Sequence, residues 1–224
     1  FADGAVPAAC RDFERRSHAL RSLITRVSNL VFAELDAMCG TDASRGPFAR
    51  AAPGTAPFAS ASHFLTEGEH LEHFHAYSLN CSAPAAHPAT LDMHTDEGLF
   101  IAIVPSLWLS PAGEPLDEAV LSPAEGFYIE GPDGVVRQAE FSDGGDVVFF
   151  MMGEGSLEWF GRCPPMRPVP HALVMRDACP RLAEAAAPLQ QAVRLWYGRM
   201  FLPPQQALFE PANRTFGELR KERA

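Results

Sequence analysis

Two side chains of the kind that bind metals lie two residues apart in the segment His94-Thr95-Asp96. An apolar run from Leu99 to Val104 follows directly and predicts a buried strand. Residues i and i+2 of a β-strand point to the same side of a sheet, so we expect His94 and Asp96 to share one face. The imidazole and the carboxylate could then hold one cation from one side.

A third ligand is needed to complete such a site, and His171 is the best candidate because it begins the apolar segment 171–175. Two imidazoles and one carboxylate on one face of a metal form the ligand set of non-heme Fe(II) oxygenases, in which the opposite positions stay open. The structural alternative is that His94 caps a strand end, Asp96 lies in a turn and His171 is an ordinary core histidine.

A second row of polar side chains offers a rival site. Residues 71–77 alternate with a period of two, which predicts a strand with His73, His75 and Tyr77 on one face. Together with His70, the two histidines could form a cupin-like metal site of three or four imidazoles. The same row could instead line a ligand cavity or lie on a solvated sheet face.

The elements that must position these side chains are one long helix followed by short strands. Apolar residues at helical spacing predict an amphipathic helix over 11–39, which either packs along the outside of a sheet or forms a coiled-coil arm. The sequence Gly131-Pro132-Asp133-Gly134 predicts a hairpin turn, and residues 147–152 predict a fully buried strand. The predicted fold is mainly β with flanking helices: a double-stranded β-helix (jelly roll) core backed by the N-terminal helix.

The length favours one domain over residues 1–224. Its predicted parts are the helix 11–39, a jelly-roll core over about 62–203 and a polar C-terminal tail 204–224 that is helical from Thr215. Segments rich in Gly, Ala, Pro and Ser predict a loop over 40–61, and Asp177–Gln191 has the character of an Ala-rich insertion.

Composition excludes several classes of function. The net charge of −10 argues against nonspecific binding to nucleic acid or anionic membranes, and no segment is apolar enough to span a membrane. None of the five cysteines forms a C-x-x-C pair, which argues against a zinc knuckle. Their odd number favours reduced thiols in a cytoplasmic protein, and one or two disulfides in a secreted protein are the alternative. The expected partner is a small-molecule substrate, and no pattern specifies an oligomeric state.

An ordered set of segments resembles the isopenicillin N synthase-like Fe(II)/2-oxoglutarate oxygenases, which include plant gibberellin and flavonoid oxidases. The likeness runs from about Leu71 to Pro203, more than half of the chain. The segments that carry it are His94-Thr95-Asp96-Glu97-Gly98-Leu99-Phe100, Glu125-Gly126-Phe127-Tyr128-Ile129, Gly145-Asp146-Val147-Val148, His171-Ala172-Leu173-Val174, and Arg194 with Pro203.

The resemblance implies roles for five residues. His94, Asp96 and His171 are expected to hold Fe(II), while Arg194 and Tyr77 are expected to bind the carboxylate of the cosubstrate 2-oxoglutarate. The implied activity is hydroxylation or a related oxidation of a small organic molecule by a dioxygenase.

The sequence also departs from the family pattern. Trp196 stands where the family has a serine, and the spacing from His171 to Arg194 is longer than in the family, so Arg181 and Arg199 remain alternatives for the carboxylate. The alternative function is a non-catalytic, degenerate metal-binding jelly roll that acts as a scaffold or sensor.

Overall fold

The computed structural model describes residues 8–39, 52–78, 90–116, 126–139, 147–160, 167–174 and 192–223. The helices are α1 (Ala8–Cys39), α2 (Ala61–Thr66), α3 (Glu154–Phe160) and α4 (Phe216–Arg223), with a short 3-10 turn at Glu210–Ala212. The strands are β1 (Leu71–Ser78), β2 (Leu91–His94), β3 (Phe100–Ile103), β4 (Leu107–Leu109), β5 (Phe127–Glu130), β6 (Val136–Gln138), β7 (Phe149–Met152), β8 (His171–Leu173), β9 (Val193–Phe201), β10 (Leu208–Phe209) and β11 (Arg214–Thr215).

Two antiparallel sheets form the body of the described structure. The larger sheet has the order β1-β9-β3-β7, with β4 also paired to β9, and the smaller has the order β2-β8-β5-β6. Side chains from both sheets line one cavity between them. Two facing antiparallel sheets with few helices agree with the prediction of a mainly β, jelly-roll-like architecture.

Strand β9 separates the cavity from the helical side of the molecule. Arg194, Trp196 and Met200 line the cavity. Other residues of the strand face α1 instead: Phe201 meets Phe32 edge-on at 5.0 Å, and Arg199 bonds to the Thr25 hydroxyl at 2.7 Å. This alternation follows from the two-residue period of a strand.

Helix α1 packs along the outside of the larger sheet, as one of the two sequence interpretations predicts. Its side chains Ile24, Phe32 and Leu35 are buried in the main hydrophobic cluster. Each buried side chain of this size contributes roughly 1.5–3 kcal/mol to folding. None of the described helices is long and apolar enough to cross a membrane.

A carboxylate on β1 ties the helix to the sheet. Glu72 accepts hydrogen bonds from Arg21 at 2.7 Å, from Arg199 at 3.1 Å and from the Tyr197 hydroxyl at 3.1 Å. Burial alone would raise the pKa of Glu72, but these hydrogen bonds outweigh it and lower the pKa. The carboxylate therefore stays charged and holds α1 against β1 and β9.

Two local predictions are wrong. Strand β2 ends at His94, so Asp96 lies beyond the strand. It shares a side with His94 because the loop that carries it contacts Gly153 and Glu154. Strand β7 is half-buried rather than fully buried, because part of it lines the cavity instead of packing in the core. The predicted helix, the hairpin at Gly131–Gly134 and the C-terminal helix are confirmed, whereas the insertion Asp177–Gln191 lies outside the described residues.

Candidate metal centre

The structure brings His94, Asp96 and His171 together at one place in the cavity wall. One ligand atom from each residue lies within 4.8 Å of those of the other two. His94 Nε2 is 4.0 Å from Asp96 Oδ1, and the two imidazole rings are 4.3 Å apart between centroids. Within the described residues this is the one such group of three or more His, Cys, Asp or Glu side chains.

Neighbouring strands place the two histidines. His94 ends β2 and pairs in register with His171, the first residue of β8. On its other side His171 pairs with Ile129 of β5. His171 is 6% exposed, whereas the side chain of His94 is 36% exposed, so the pair spans from the interior to the rim of the cavity.

Both imidazoles are held in the same tautomer by the same local device. His94 Nδ1 lies 2.7 Å from the carbonyl oxygen of Asp92, and His171 Nδ1 lies 2.9 Å from that of Val169, each two residues earlier in the chain. A carbonyl oxygen can only accept, so each Nδ1 carries the proton and each Nε2 keeps a free lone pair. Histidines that bind metals typically donate their other ring nitrogen in this way.

Burial lowers the pKa of His171, and the positive form of His94 would lower it further, against opposing effects of the Val169 carbonyl and Asp96. The imidazole is therefore neutral at pH 7, which is the form that a metal requires.

Asp96 is positioned by the start of α3 rather than by a strand. Its carbonyl oxygen accepts a 2.7 Å hydrogen bond from the backbone N–H of Glu154, and the Thr95 hydroxyl bonds to the Glu154 carboxylate. Gly153 lies directly against this loop: a Cβ added there would sit 2.6 Å from the Asp96 carbonyl oxygen and 2.2 Å from that of Gly98. The Asp96 side chain is 14% exposed.

We expect Gly153→Ala to weaken metal binding by about 10- to 100-fold, because the new methyl group must displace the backbone that carries Asp96. Isothermal titration with Zn(II) or Mn(II) measures this on folded protein. Gly131→Ala is the matched control, since a Cβ there meets the flexible ends of the Arg137 and Asp133 side chains on the exposed hairpin. Equal metal affinity in the two variants would show that Gly153 does not position the site.

A cavity of about 730 Å³ opens beside the three residues. Most of its wall is apolar or aromatic. The apolar side chains of the wall are Leu91, Ile101, Ile103, Val104, Pro105, Phe127, Ile129, Ala139, Phe149, Phe150, Met151, Val169, Leu173, Trp196 and Met200. Such a lining suits an organic ligand whose polar groups are few.

The two predicted cosubstrate residues also line the cavity. Arg194 is 5% exposed, a rare degree of burial for a guanidinium. Arg194 lies on β9, and Tyr77 is the residue directly paired with it on β1. The larger sheet therefore brings Arg194 and Tyr77 side by side on the face that is turned toward the smaller sheet. Their binding role stays a prediction.

The structure argues against the alternative histidine site and against one of the two alternative arginines. His70 packs against Phe201 at 4.5 Å on the core side, accepts from the Leu202 N–H at 3.3 Å, and has its pKa lowered by burial to about 4. It therefore does not converge with His73 and His75, and the cupin-like set is not formed. Arg199 points to Glu72 and the helix, so it cannot serve the cavity. Arg181 lies outside the described residues.

The row His73, His75 and Tyr77 lies in the cavity wall, as one of the alternatives for it predicts. The three rings are nearly parallel, and the Trp196 indole stacks on His75 with 4.7 Å between centroids. Gly198 leaves room for this indole, since a Cβ there would lie 2.4 Å from it. Trp196 was missed as a cavity residue, although its place two residues after Arg194 on a strand predicts that the two share a face.

Similarity to known proteins is seen in structure and not in sequence. No family model matches the sequence, and no curated protein matches it. Among solved structures, a candidate oxygenase from Shewanella oneidensis aligns over 100% of this chain and 67% of its own, with a TM-score of 0.61 and 12% identity. The two chains share a fold. The isopenicillin N synthase-like resemblance stays a prediction.

Two further structures match less of the chain. A full-length Neurospora crassa protein in complex with alpha-KG has a TM-score of 0.45 and 13% identity, over 67% of this chain and 39% of that one. The dioxygenase for auxin oxidation 1 from Arabidopsis thaliana, in complex with 2-oxoglutarate, has a TM-score of 0.43 and 12% identity, over 64% and 41%. The aligned part thus spans less than half of either protein.

Proposed function

We propose that this chain is a non-heme Fe(II)- and 2-oxoglutarate-dependent dioxygenase with a double-stranded β-helix core over residues 62–203 of a single domain. In this proposal it hydroxylates or otherwise oxidises a small organic molecule. The observation that carries the proposal is the convergence of His94, Asp96 and His171 within 4.8 Å, at the wall of a largely apolar cavity. The fold shared with the candidate oxygenase supports it.

The donor set fits Fe(II). The two Nε2 lone pairs are presented by imidazoles whose Nδ1 protons are held by backbone carbonyls, and Asp96 supplies one anionic oxygen. Three protein ligands on one side leave room for a cosubstrate and O2 on the other. Bound there, Fe(II) would supply the activation of O2 that no amino-acid side chain can provide.

Arg194 and Tyr77 are the residues that would bind 2-oxoglutarate. A guanidinium matches a carboxylate with two parallel N–H donors, and burial strengthens this pairing because few waters compete for it. Arg194 is almost fully buried, and the Tyr77 hydroxyl adds a third donor from the neighbouring strand. The site would thus orient the cosubstrate by its distal carboxylate, with its other end toward the three metal ligands.

The rest of the cavity would hold the substrate and exclude water. Its walls are mostly aliphatic and aromatic, so few polar groups would hold water in competition with an apolar substrate. A molecule that fills such a space is small and mainly apolar. The acidic net charge is consistent with this partner rather than with nucleic acid, and a cytoplasmic location stays a prediction.

The test is an anaerobic titration of the protein with Fe(II), with and without 2-oxoglutarate. The expected result is a visible metal-to-ligand charge-transfer band that needs both additions and is absent in Asp96→Ala. Succinate formation on admission of O2, with ascorbate present, then shows turnover. A folded protein that gives no band with saturating Fe(II) and 2-oxoglutarate is not an enzyme of this class.

A non-catalytic binding protein is the second candidate. The observation that favours it is the position of the Trp196 indole, which lines the cavity with Arg194 and stacks on His75. The family that the sequence resembles has a small serine at this position. Such a protein would show the charge-transfer band but form no succinate, even with a range of added substrates.

A further inference from the structure

A chain of hydrogen bonds runs along β1 inside the cavity. The Tyr77 hydroxyl lies 3.3 Å from His75 Nδ1, and His75 Nε2 lies 3.4 Å from His73 Nδ1. The chain ends at His73 Nε2, which is buried and has no hydrogen-bond partner among the described residues. A buried polar atom without a partner is costly to keep, so its presence in a cavity wall points to a ligand that completes it.

His73 is neutral at pH 7. Burial lowers its pKa, a charge on His75 would lower it further, and the Asp96 carboxylate only partly opposes them. His73 and the metal ligands His94, Asp96 and His171 line the same cavity.

Because each neutral imidazole carries one proton, the chain can point in only two directions. In the first, the Tyr77 hydroxyl donates to His75, His75 donates to His73, and His73 Nε2–H becomes a donor. In the second, His73 Nδ1–H donates to His75 Nε2, His75 Nδ1–H donates to the Tyr77 oxygen, and His73 Nε2 becomes an acceptor.

The cosubstrate would decide between the two directions. A carboxylate only accepts hydrogen bonds, so a Tyr77 hydroxyl that binds it must direct its proton there. Tyr77 can then only accept from His75, which selects the second direction and leaves His73 Nε2 with a bare lone pair.

We propose that His73 is the substrate-positioning residue of this site and that its Nε2 accepts a hydrogen bond from a hydroxyl or N–H group of the substrate. The direction is imposed by 2-oxoglutarate through Tyr77 and His75. This inference rests on the proposed function. It assigns the substrate to mainly apolar molecules with one hydrogen-bond donor.

The direct test is 15N NMR of the full chain labelled at histidine, with redox-silent Zn(II) in the metal site. Single variants His73→Gln and His75→Gln assign the signals. With 2-oxoglutarate bound, both imidazoles should be protonated at Nδ1 and bare at Nε2. In Tyr77→Phe this preference should disappear, because the phenyl ring cannot accept from His75. A proton on His73 Nε2 in the Zn(II)–2-oxoglutarate complex would overturn the proposal.

A matched pair of probes tests the recognition itself. 2-Naphthol and 2-fluoronaphthalene have nearly the same shape, but only the naphthol has a donor. In the presence of Zn(II) and 2-oxoglutarate, 2-naphthol should bind about 3- to 10-fold more tightly, the effect of one net hydrogen bond. His73→Leu should abolish that difference. Equal affinities, no binding of either probe, or a preference that survives His73→Leu would each contradict the proposal.

Calorimetry with 2-oxoglutarate on the same samples distinguishes failure of the proposed function from failure of the role proposed for His73. Failure of 2-oxoglutarate to bind overturns both the proposed function and the proposal that 2-oxoglutarate sets the tautomer of His73. Normal binding of 2-oxoglutarate with the wrong tautomer at His73, or with no donor preference, overturns only the inference about His73.

Discussion

His171→Ala and Asp96→Ala are each expected to weaken binding of a single divalent metal ion by roughly 100-fold or more, a larger loss than removal of a supporting residue causes. His171 is 6% exposed and lies between β2 and β5, so no water-exposed side chain can replace its Nε2. Asp96 supplies the one negative charge of the three ligands. Titration with Mn(II), followed by electron paramagnetic resonance, measures the affinity.

Two controls make this result specific. His63→Ala removes an imidazole that lies near Glu67, away from the three ligands, and should leave metal affinity unchanged. His73→Gln should also leave metal affinity unchanged, because His73 is not one of the three proposed ligands. Loss of binding in His73→Gln, with full binding in His171→Ala, would show that the metal site lies on β1 and that the proposed ligands are wrong.

A truncated histidine in the core can also destabilise the fold, so Asp96→Asn is the milder companion variant. It keeps the shape of the side chain and removes only its charge. Because the Thr95 hydroxyl and the Asp96 carbonyl oxygen contact Glu154 without the Asp96 carboxylate, the loop should remain in place. Weaker metal binding with an unchanged melting temperature would then identify the carboxylate itself as a ligand.

The sequence predicts the local elements of this fold better than the way they meet. The helical period of α1 and the Asp-Gly turn between β5 and β6 depend on neighbouring residues only, and both are confirmed. The pairing of β1 with β9 joins residues more than a hundred positions apart, and it depends on packing that no local pattern contains. The hydrogen bond of each metal-site histidine to a carbonyl two residues earlier likewise requires coordinates.

The same contrast appears within the candidate site. The expectation that His94 and Asp96 share a side is met, but by the contact of their loop with Gly153 and Glu154 rather than by strand alternation. The structure has one continuous strand over Val193–Phe201, and this decides between Arg194 and Arg199. The two residues are an odd number of positions apart, so on one continuous strand they must face opposite sides.

Arg194→Met is expected to weaken binding of 2-oxoglutarate by at least about 30-fold, the loss that follows when one partner of a buried, hydrogen-bonded charge pair is removed. The dicarboxylate would then enter an apolar cavity with one negative charge unmatched. Arg194→Lys keeps the positive charge but not the forked pair of donors, so we expect an intermediate loss. Isothermal titration of 2-oxoglutarate into the Zn(II)-loaded protein measures both.

Arg199→Met is the matched control, because it removes a guanidinium from the same strand on the opposite face. Glu72 keeps its hydrogen bonds from Arg21 and Tyr197 in that variant, so α1 stays anchored to the sheet. Metal affinity should be the same in both methionine variants, since neither residue belongs to the three ligands. If Arg199→Met weakens 2-oxoglutarate binding as much as Arg194→Met does, the cosubstrate is not bound by Arg194. If neither variant weakens 2-oxoglutarate binding, the carboxylate is not bound by Arg194 or Arg199.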